Sequence, residues 1–160
     1  MRFLSLILVF VFLLSGCAPK RIQKGVYHIV FKSRTMKFEG VGYMYEEKNK
    51  TVLQLYGGGS ALLEMKVSDR VCVDGRCLGV REFNERYFKG CYMSDFLKRV
   101  LSFEPLSGAE IVSLKGGGFK QRLYKKGCYD IIYIVDSEGV YFKDRLNGFL
   151  IVIKNLKGEI

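Results

Sequence analysis

Tryptophan is absent from the 160 residues, proline occurs twice and histidine once. A Ser or Cys catalytic triad would have to be built on His28, which has no partner visible in the sequence. A phosphate-cradling loop is also missing, because neither Gly57-Gly58-Gly59 nor Gly116-Gly117-Gly118 is followed by Lys-Ser/Thr and an opening helix. Both read as connections between strands. The carboxylates Glu46, Glu47 and Glu64 fall among strands or turns, and their spacing offers no glycosidase pair. Long apolar runs are limited to residues 3–14, too few for a helix crossing a bilayer core, which takes about 20. Internal repeats, low-complexity segments and linkers long enough to divide the chain are missing too.

What is present is 18 Gly, 10 Tyr and 12 Phe, a mix that favours strands and turns over a helical bundle. With 49% apolar residues the chain buries enough surface to offset the entropy lost on ordering, so disorder is disfavoured and one domain is expected. Lys and Arg number 26 against 16 Asp and Glu, a formal net charge of +10.

Arg2 precedes the apolar run, which then reaches Leu14-Ser15-Gly16-Cys17. Charge followed by a short apolar stretch reads as a secretory signal. The four residues resemble the lipobox of bacterial lipoproteins, in which the chain is cut before the Cys and the Cys is lipidated. The resemblance implies a signal peptide over 1–16, a lipidated Cys17 and a basic tether over 17–24 carrying Lys20, Arg21 and Lys24, with a single domain over 25–160. Ala18 stands where an Asp would mean retention at the inner membrane, so outer-membrane delivery is implied. Each buried methylene contributes about 0.8 kcal/mol, so two or more acyl chains anchor stably where one does not.

Apart from Cys17, four cysteines remain: Cys72, Cys77, Cys91 and Cys128. An even remainder in an exported chain points to disulfides, with three possible pairings. Asp74-Gly75 is a strong type I′ hairpin signal, which makes Val73 and Arg76 the flanking hydrogen-bonded pair. Cys72 and Cys77 then face each other across about 4.5 Å, inside the disulfide range. Cys72–Cys77 is expected, and Cys91–Cys128 by elimination. Metal binding is poorly served by this spacing and one histidine, and a redox pair would typically be separated by two intervening residues at a helix N-terminus. No metal and no cofactor beyond the covalent lipid on Cys17 are expected.

Strand patterns run over 26–31, 36–45, 51–56 and 61–67, followed by the cysteine hairpin. The period then changes. Ser94-Asp95 can cap a helix with Phe96, Leu97, Val100 and Leu101 on one stripe, and residues 82–90 form a further short turn of helix ended by Gly90. Strands return over 111–114, 119–124, 129–135, 140–143 and 149–156. The expected fold is mainly β with a small helical insert: a strongly curved antiparallel sheet or unclosed barrel of about ten strands, plugged by helix.

In that order of elements the chain resembles the LolB-like family, the outer-membrane lipoprotein receptors of the Lol pathway, and more distantly their periplasmic carrier. The likeness rests on Met36-Lys37-Phe38-Glu39-Gly40 and Leu53-Gln54-Leu55-Tyr56-Gly57-Gly58-Gly59, together with Ser94-Asp95-Phe96-Leu97-Lys98-Arg99-Val100-Leu101. The pattern from Tyr133 to Ile153 fits the closing strands. The resemblance implies an apolar-lined half-barrel that accepts acyl chains of lipoproteins and passes them to the outer membrane. One departure stands out: the receptors project an exposed Leu from the loop after the leucine-rich strand, where this chain has Gly58, with Ala61 and Leu62 nearby in the next strand.

An acyl chain needs a dry aliphatic concavity. Phe38, Leu53, Leu55, Leu63, Met65, Phe96, Val100, Ile132, Ile134 and Ile151 are the lining candidates. Lys115, Lys120, Arg122, Lys125 and Lys126 bunch in one stretch; beside a membrane such charge meets lipid phosphate, and export argues against nucleic acid. The expected protein is a non-enzymatic lipoprotein of the outer membrane, facing the periplasm. Its expected partners are the membrane, an acylated lipoprotein or lipid cargo, and a periplasmic carrier. The alternative is an assembly lipoprotein that binds a protein partner and has no ligand cavity. An apolar groove open to solvent favours the first, and a solid interior the second.

Overall fold

The computed structural model describes residues 25–88 and 91–156. The expected leader, Cys17, its tether and Gly90 lie outside the described residues. The first six strands are β1 (Gly25–Lys32), β2 (Lys37–Glu47), β3 (Lys50–Gly57), β4 (Ser60–Val67), β5 (Arg70–Val73) and β6 (Arg76–Gly79). Helices α1 (Val80–Phe88) and α2 (Phe96–Leu101) follow, then β7 (Val112–Ser113), β8 (Phe119–Lys125), β9 (Tyr129–Asp136), β10 (Gly139–Asp144) and β11 (Phe149–Asn155). Eleven strands form one antiparallel sheet, ordered β6-β5-β4-β3-β2-β1-β11-β10-β9-β8-β7. The two halves of a meander are therefore joined where β1 pairs β11, and the sheet does not close.

Local chemistry sets the hairpins. Lys48 and Asn49, Gly58 and Gly59, and Asp74 and Gly75 all have positive φ, the two-residue turn whose twist matches flanking strands. Val73 pairs with Arg76 and Cys72 with Cys77, in the expected register. Both disulfides are formed: Cys72–Cys77 with 3.9 Å between Cα atoms and Cys91–Cys128 with 5.3 Å.

Helix α1 starts two residues earlier than the sequence pattern indicates. Asp95 does occupy the N-cap of α2, yet its side chain makes no capping bond and instead pairs with Arg99 one turn on. Arg99 also donates to the Pro105 carbonyl at 3.0 Å, holding the exit of the helix.

Alternation along each strand separates the two faces. Tyr27, Ile29, Phe31, Met44, Leu53, Leu55, Ile131, Tyr133, Phe142, Ile151 and Ile153 are buried on the face that the helices cover. Phe83, Phe88, Phe96, Leu97, Val100 and Leu101 reach them from the helices. The segment after α2 spans the sheet: Ser102 meets Thr51 of β3 at 3.3 Å, and the Leu106 N–H donates to Gln121 of β8 at 2.7 Å. In a flat sheet β3 and β8 would lie about 29 Å apart, six strand spacings. Four residues of chain reach at most about 14 Å, and the side chains that complete the two contacts stand roughly perpendicular to the sheet and add little along it. The sheet is therefore bent around the helices, and the covered face is its concave one. Gly42 permits that bend: a Cβ there would stand 2.6 Å from Ile29 Cδ1 and 2.9 Å from the Gln54 carbonyl oxygen.

Candidate functional site

The middle of the concave interior is packed with aromatic rings. Phe96 packs its ring 4.5 Å from Tyr92 and 5.3 Å from Phe88, and Phe88 lies 4.5 Å from Phe149. The gap left beside Phe88, Tyr92 and Phe149 is about 20 Å³, room for about one water. Such aromatic contacts each add about 0.5–1.5 kcal/mol to the burial itself.

Six of the ten lining candidates, Leu53, Leu55, Met65, Phe96, Val100 and Ile151, are at most 2% exposed within this packed core. Phe38 and Leu63 are partly buried against it. Ile132 and Ile134 are a correction: they lie on the opposite, convex face, Ile132 between Arg122 and Lys143 and Ile134 between Lys120 and Tyr141. Both parities of β9 are apolar, so the run of residues could not say which one turns inward. The larger cavities of the described residues are lined by other residues.

One such cavity opens on the concave side at the β6 end of the sheet. It measures about 550 Å³ and is lined by Val71, Val73, Asp74, Arg76, Leu78, Phe83, Arg86 and Tyr87. Val71 pairs with Leu78 and with the buried Val67, and Val73 pairs with Arg76 and with the buried Met65. The four strand residues of that lining, Val71, Val73, Arg76 and Leu78, therefore face the helix side. From above, Phe83 and Tyr87 stand one turn apart on α1 with ring centroids 4.7 Å from each other. The floor and roof are apolar, and the rim carries three charges. Asp74 is engaged in the hairpin, accepting the Glu64 N–H at 2.8 Å. Arg86 lies 3.6 Å from Glu82, both more than half exposed. Arg76 has no ion-pair partner among the described residues. Its volume lies in the usual range for small-ligand sites, roughly 300–1,000 Å³.

The sequence held a signal for this groove. The type I′ turn fixes which hairpin residues share a face, and Phe83 and Tyr87 recur at i and i+4. The longer apolar strands, which supply the lining candidates, have their inward positions covered by the helices, so the open lining falls to the short hairpin.

A second, shallower concavity of about 880 Å³ lies on the convex face over β1–β3, among Val26, Val41, Tyr43, Tyr45, Gln54 and Tyr56. Val41 and Tyr43 are over 40% exposed there. His28 sits on the same face, 3.7 Å from Glu39.

The basic stretch is divided by the fold. Lys120 and Arg122 alternate with buried Gln121 and Leu123 and face outward on β8, and Arg122 lies 3.8 Å from Asp130. Lys115 and Lys126 occupy turns, and Lys125 ends β8. At the β3–β4 turn, Leu62 is 57% exposed, but its side chain folds back over Gly57, where an added Cβ would meet Leu62 Cδ1 at 2.5 Å. The turn tip is Gly58-Gly59, with no side chain to project.

Among the described residues no group of three or more His, Cys, Asp or Glu side chains is placed to hold a metal ion, and no helix is long and apolar enough to cross a membrane. No protein-family model matches the chain, and no curated protein matches it.

Proposed function

We propose that this protein is a lipid-anchored envelope lipoprotein that binds an acyl chain, with the groove between the β5–β6 hairpin and α1 as its site. The observation that carries the reading is an apolar-floored groove on the concave side, open to solvent beside a closely packed aromatic core. An acyl tail gains about 0.8 kcal/mol for each methylene it buries, and Val71, Leu78, Phe83 and Tyr87 offer the surface to bury it. No covalent step is needed, so the protein acts as a receptor and not as an enzyme. The lipobox resemblance supports the rest of the reading: a lipid on Cys17, an outer-membrane location facing the periplasm, and cargo delivered from a periplasmic carrier. The LolB-like likeness supports the choice of cargo as the acyl chains of lipoproteins or lipids.

Native mass spectrometry of the protein released from its membranes tests this. A bound acylated species is expected in the parent protein and in Leu78→Met, and not in Leu78→Glu. A ligand-free parent protein, or one whose ligand survives Leu78→Glu, would remove the groove as its site. The assembly reading is favoured by a different observation, the close aromatic packing of Phe88, Phe96 and Phe149 in the middle of the concave face. On that reading the exposed Val41 and Tyr43 patch on the convex face meets a protein partner. Tyr43→Glu would then release the partner and leave acyl binding untouched.

A further inference from the structure

The rim of the groove differs from its floor in a way that bears on the ligand. Arg76 occupies an inward-facing position on the edge strand β6, two residues before Leu78 and opposite Val73. Arg76 is exposed to solvent, so its side chain can lie along the apolar floor while its hydrated guanidinium stands at the rim, where an anion can reach it. Among the described residues it makes no ion pair, and Asp74, the acid nearest in sequence, accepts the Glu64 backbone N–H. Arg86 reaches the same rim from α1, and its contact with Glu82 is a solvated i,i+4 pair of little worth. Counting every charged group of the groove lining, the rim holds two guanidiniums and one engaged carboxylate. Guanidinium forks match carboxylates with paired, charge-assisted hydrogen bonds.

We propose that the groove selects an anionic single-chain amphiphile of the fatty-acid class, its carboxylate held by Arg76 and Arg86 and its tail laid along Val71, Leu78, Phe83 and Tyr87. This rests on the acyl-binding reading and narrows it: a neutral acyl ester would leave both guanidiniums unused. One cavity of about 550 Å³ is in keeping with one chain. An inward charge on an edge strand also discourages edge-to-edge pairing, a role that any cation would fill and that predicts no preference among ligands.

The test uses the full-length protein in nanodiscs, labelled by a photoactivatable C16 fatty acid, with the crosslinked peptides mapped by mass spectrometry. Labelling is expected on peptides from β5, β6 and α1, and palmitate is expected to compete at a concentration about tenfold below that of methyl palmitate. Arg76→Gln combined with Arg86→Gln should abolish that preference, and the double Lys variant should keep part of it. If palmitate and methyl palmitate compete equally in the parent protein, the headgroup selection is wrong while acyl binding stands. If those peptides take no label from the fatty acid and a matching photoactivatable methyl ester also leaves them unlabelled, both readings fall. The comparison in the parent protein decides the matter even if a variant does not fold.

Discussion

Tyr92 donates its hydroxyl to the buried carboxyl group of Asp144, 52 residues away, and this contact ties the helical segment to the end of β10. Asp144 also accepts the backbone N–H groups of Asp130 at 3.1 Å, Leu146 at 2.9 Å and Asn147 at 3.3 Å, and the Asn147 amide at 2.6 Å. One side chain thus satisfies donors from three parts of the chain. Asp144→Ala orphans them together and is expected to cost about 3 kcal/mol, since each unsatisfied buried donor costs about 1–3 kcal/mol. Urea unfolding of the variant against the parent measures it. A loss below 1 kcal/mol would mean that water replaces the carboxyl group freely.

The same tyrosine makes the fold sensitive to alkali. Burial, then the hydrogen bond to Asp144 and its charge, push the Tyr92 hydroxyl far above its ordinary pKa. Burial, then the charge of Glu104, do the same for Tyr133. Both hydroxyls stay protonated in the folded state, whereas in the unfolded chain they ionise near pH 10. The unfolded state therefore binds fewer protons above that pH. The stability these groups contribute is complete below about pH 10 and declines as pH rises beyond it, by up to about 1.4 kcal/mol per pH unit for each. Urea midpoints between pH 8 and 11.5 should hold level and then fall. Tyr133→Phe removes one of the two and should make the decline shallower; an unchanged slope would exclude Tyr133 as a source.

Two glycines separate close approach from mere presence in a strand. Gly42→Ala places a methyl against the Gln54 carbonyl and the Ile29 and Leu55 side chains, and backbone cannot swing away. The expected loss is about 1–3 kcal/mol. Gly79→Ala on β6 meets open space at an ordinary φ and should stay within about 0.5 kcal/mol of the parent. Thermal denaturation of both variants checks the contrast, and equal losses would refute the claim that the bend depends on Gly42.

How far the sequence carries depends on what kind of signal a residue gives. The Asp74-Gly75 turn has one natural geometry, so the hairpin register and the Cys72–Cys77 bond followed from it directly. Residues 129–135 gave a strand with equal clarity, but an alternation of Ile131, Tyr133 and Val135 against Ile132 and Ile134 is apolar on both parities. Which set faces inward is decided by Asp144 and Phe142 on β10 and by the helices, none of which the strand itself encodes. The filled interior was hidden for a related reason. The volume left under a bent sheet depends on how deeply Phe88 and Phe96 insert, and that depends on contacts such as Tyr92–Asp144 that join distant parts of the chain. Arg76 and Arg86 read as surface charges until the hairpin register and the α1 period put them on one rim.

Phe96 tests the solidity of that interior. It is fully buried with aromatic neighbours on α1, β10 and β11, so Phe96→Ala opens a cavity and is expected to cost about 3–5 kcal/mol. Ile134→Thr, on the convex face, should cost well under half as much. Urea unfolding of the pair distinguishes a packed plug from a ligand space, because a residue lining an open cavity would lose little on truncation.

The two disulfides should differ in worth. Loop closure in the unfolded chain scales with the logarithm of the residues enclosed, so the Cys91–Cys128 bond, spanning 37 positions, contributes about 4 kcal/mol, and Cys72–Cys77, spanning 5, about 2 kcal/mol. Position widens the gap. Cys72 and Cys77 are already brought together by the ladder pairing and the Asp74-Gly75 turn. Cys91 lies between α1 and α2 and Cys128 in the turn between β8 and β9, so their bond fastens the helical plug to the far half of the sheet. Cys91→Ser with Cys128→Ser is therefore expected to lower the urea midpoint about twice as much as Cys72→Ser with Cys77→Ser. The first pair should also raise hydrogen exchange in α1 and α2 ahead of the sheet, since the plug loses a covalent tie and the sheet does not. A twofold midpoint difference with exchange rising uniformly would show that the longer bond acts on the unfolded chain alone and does not hold the plug in place, and equal midpoint losses would refute the loop-length argument itself.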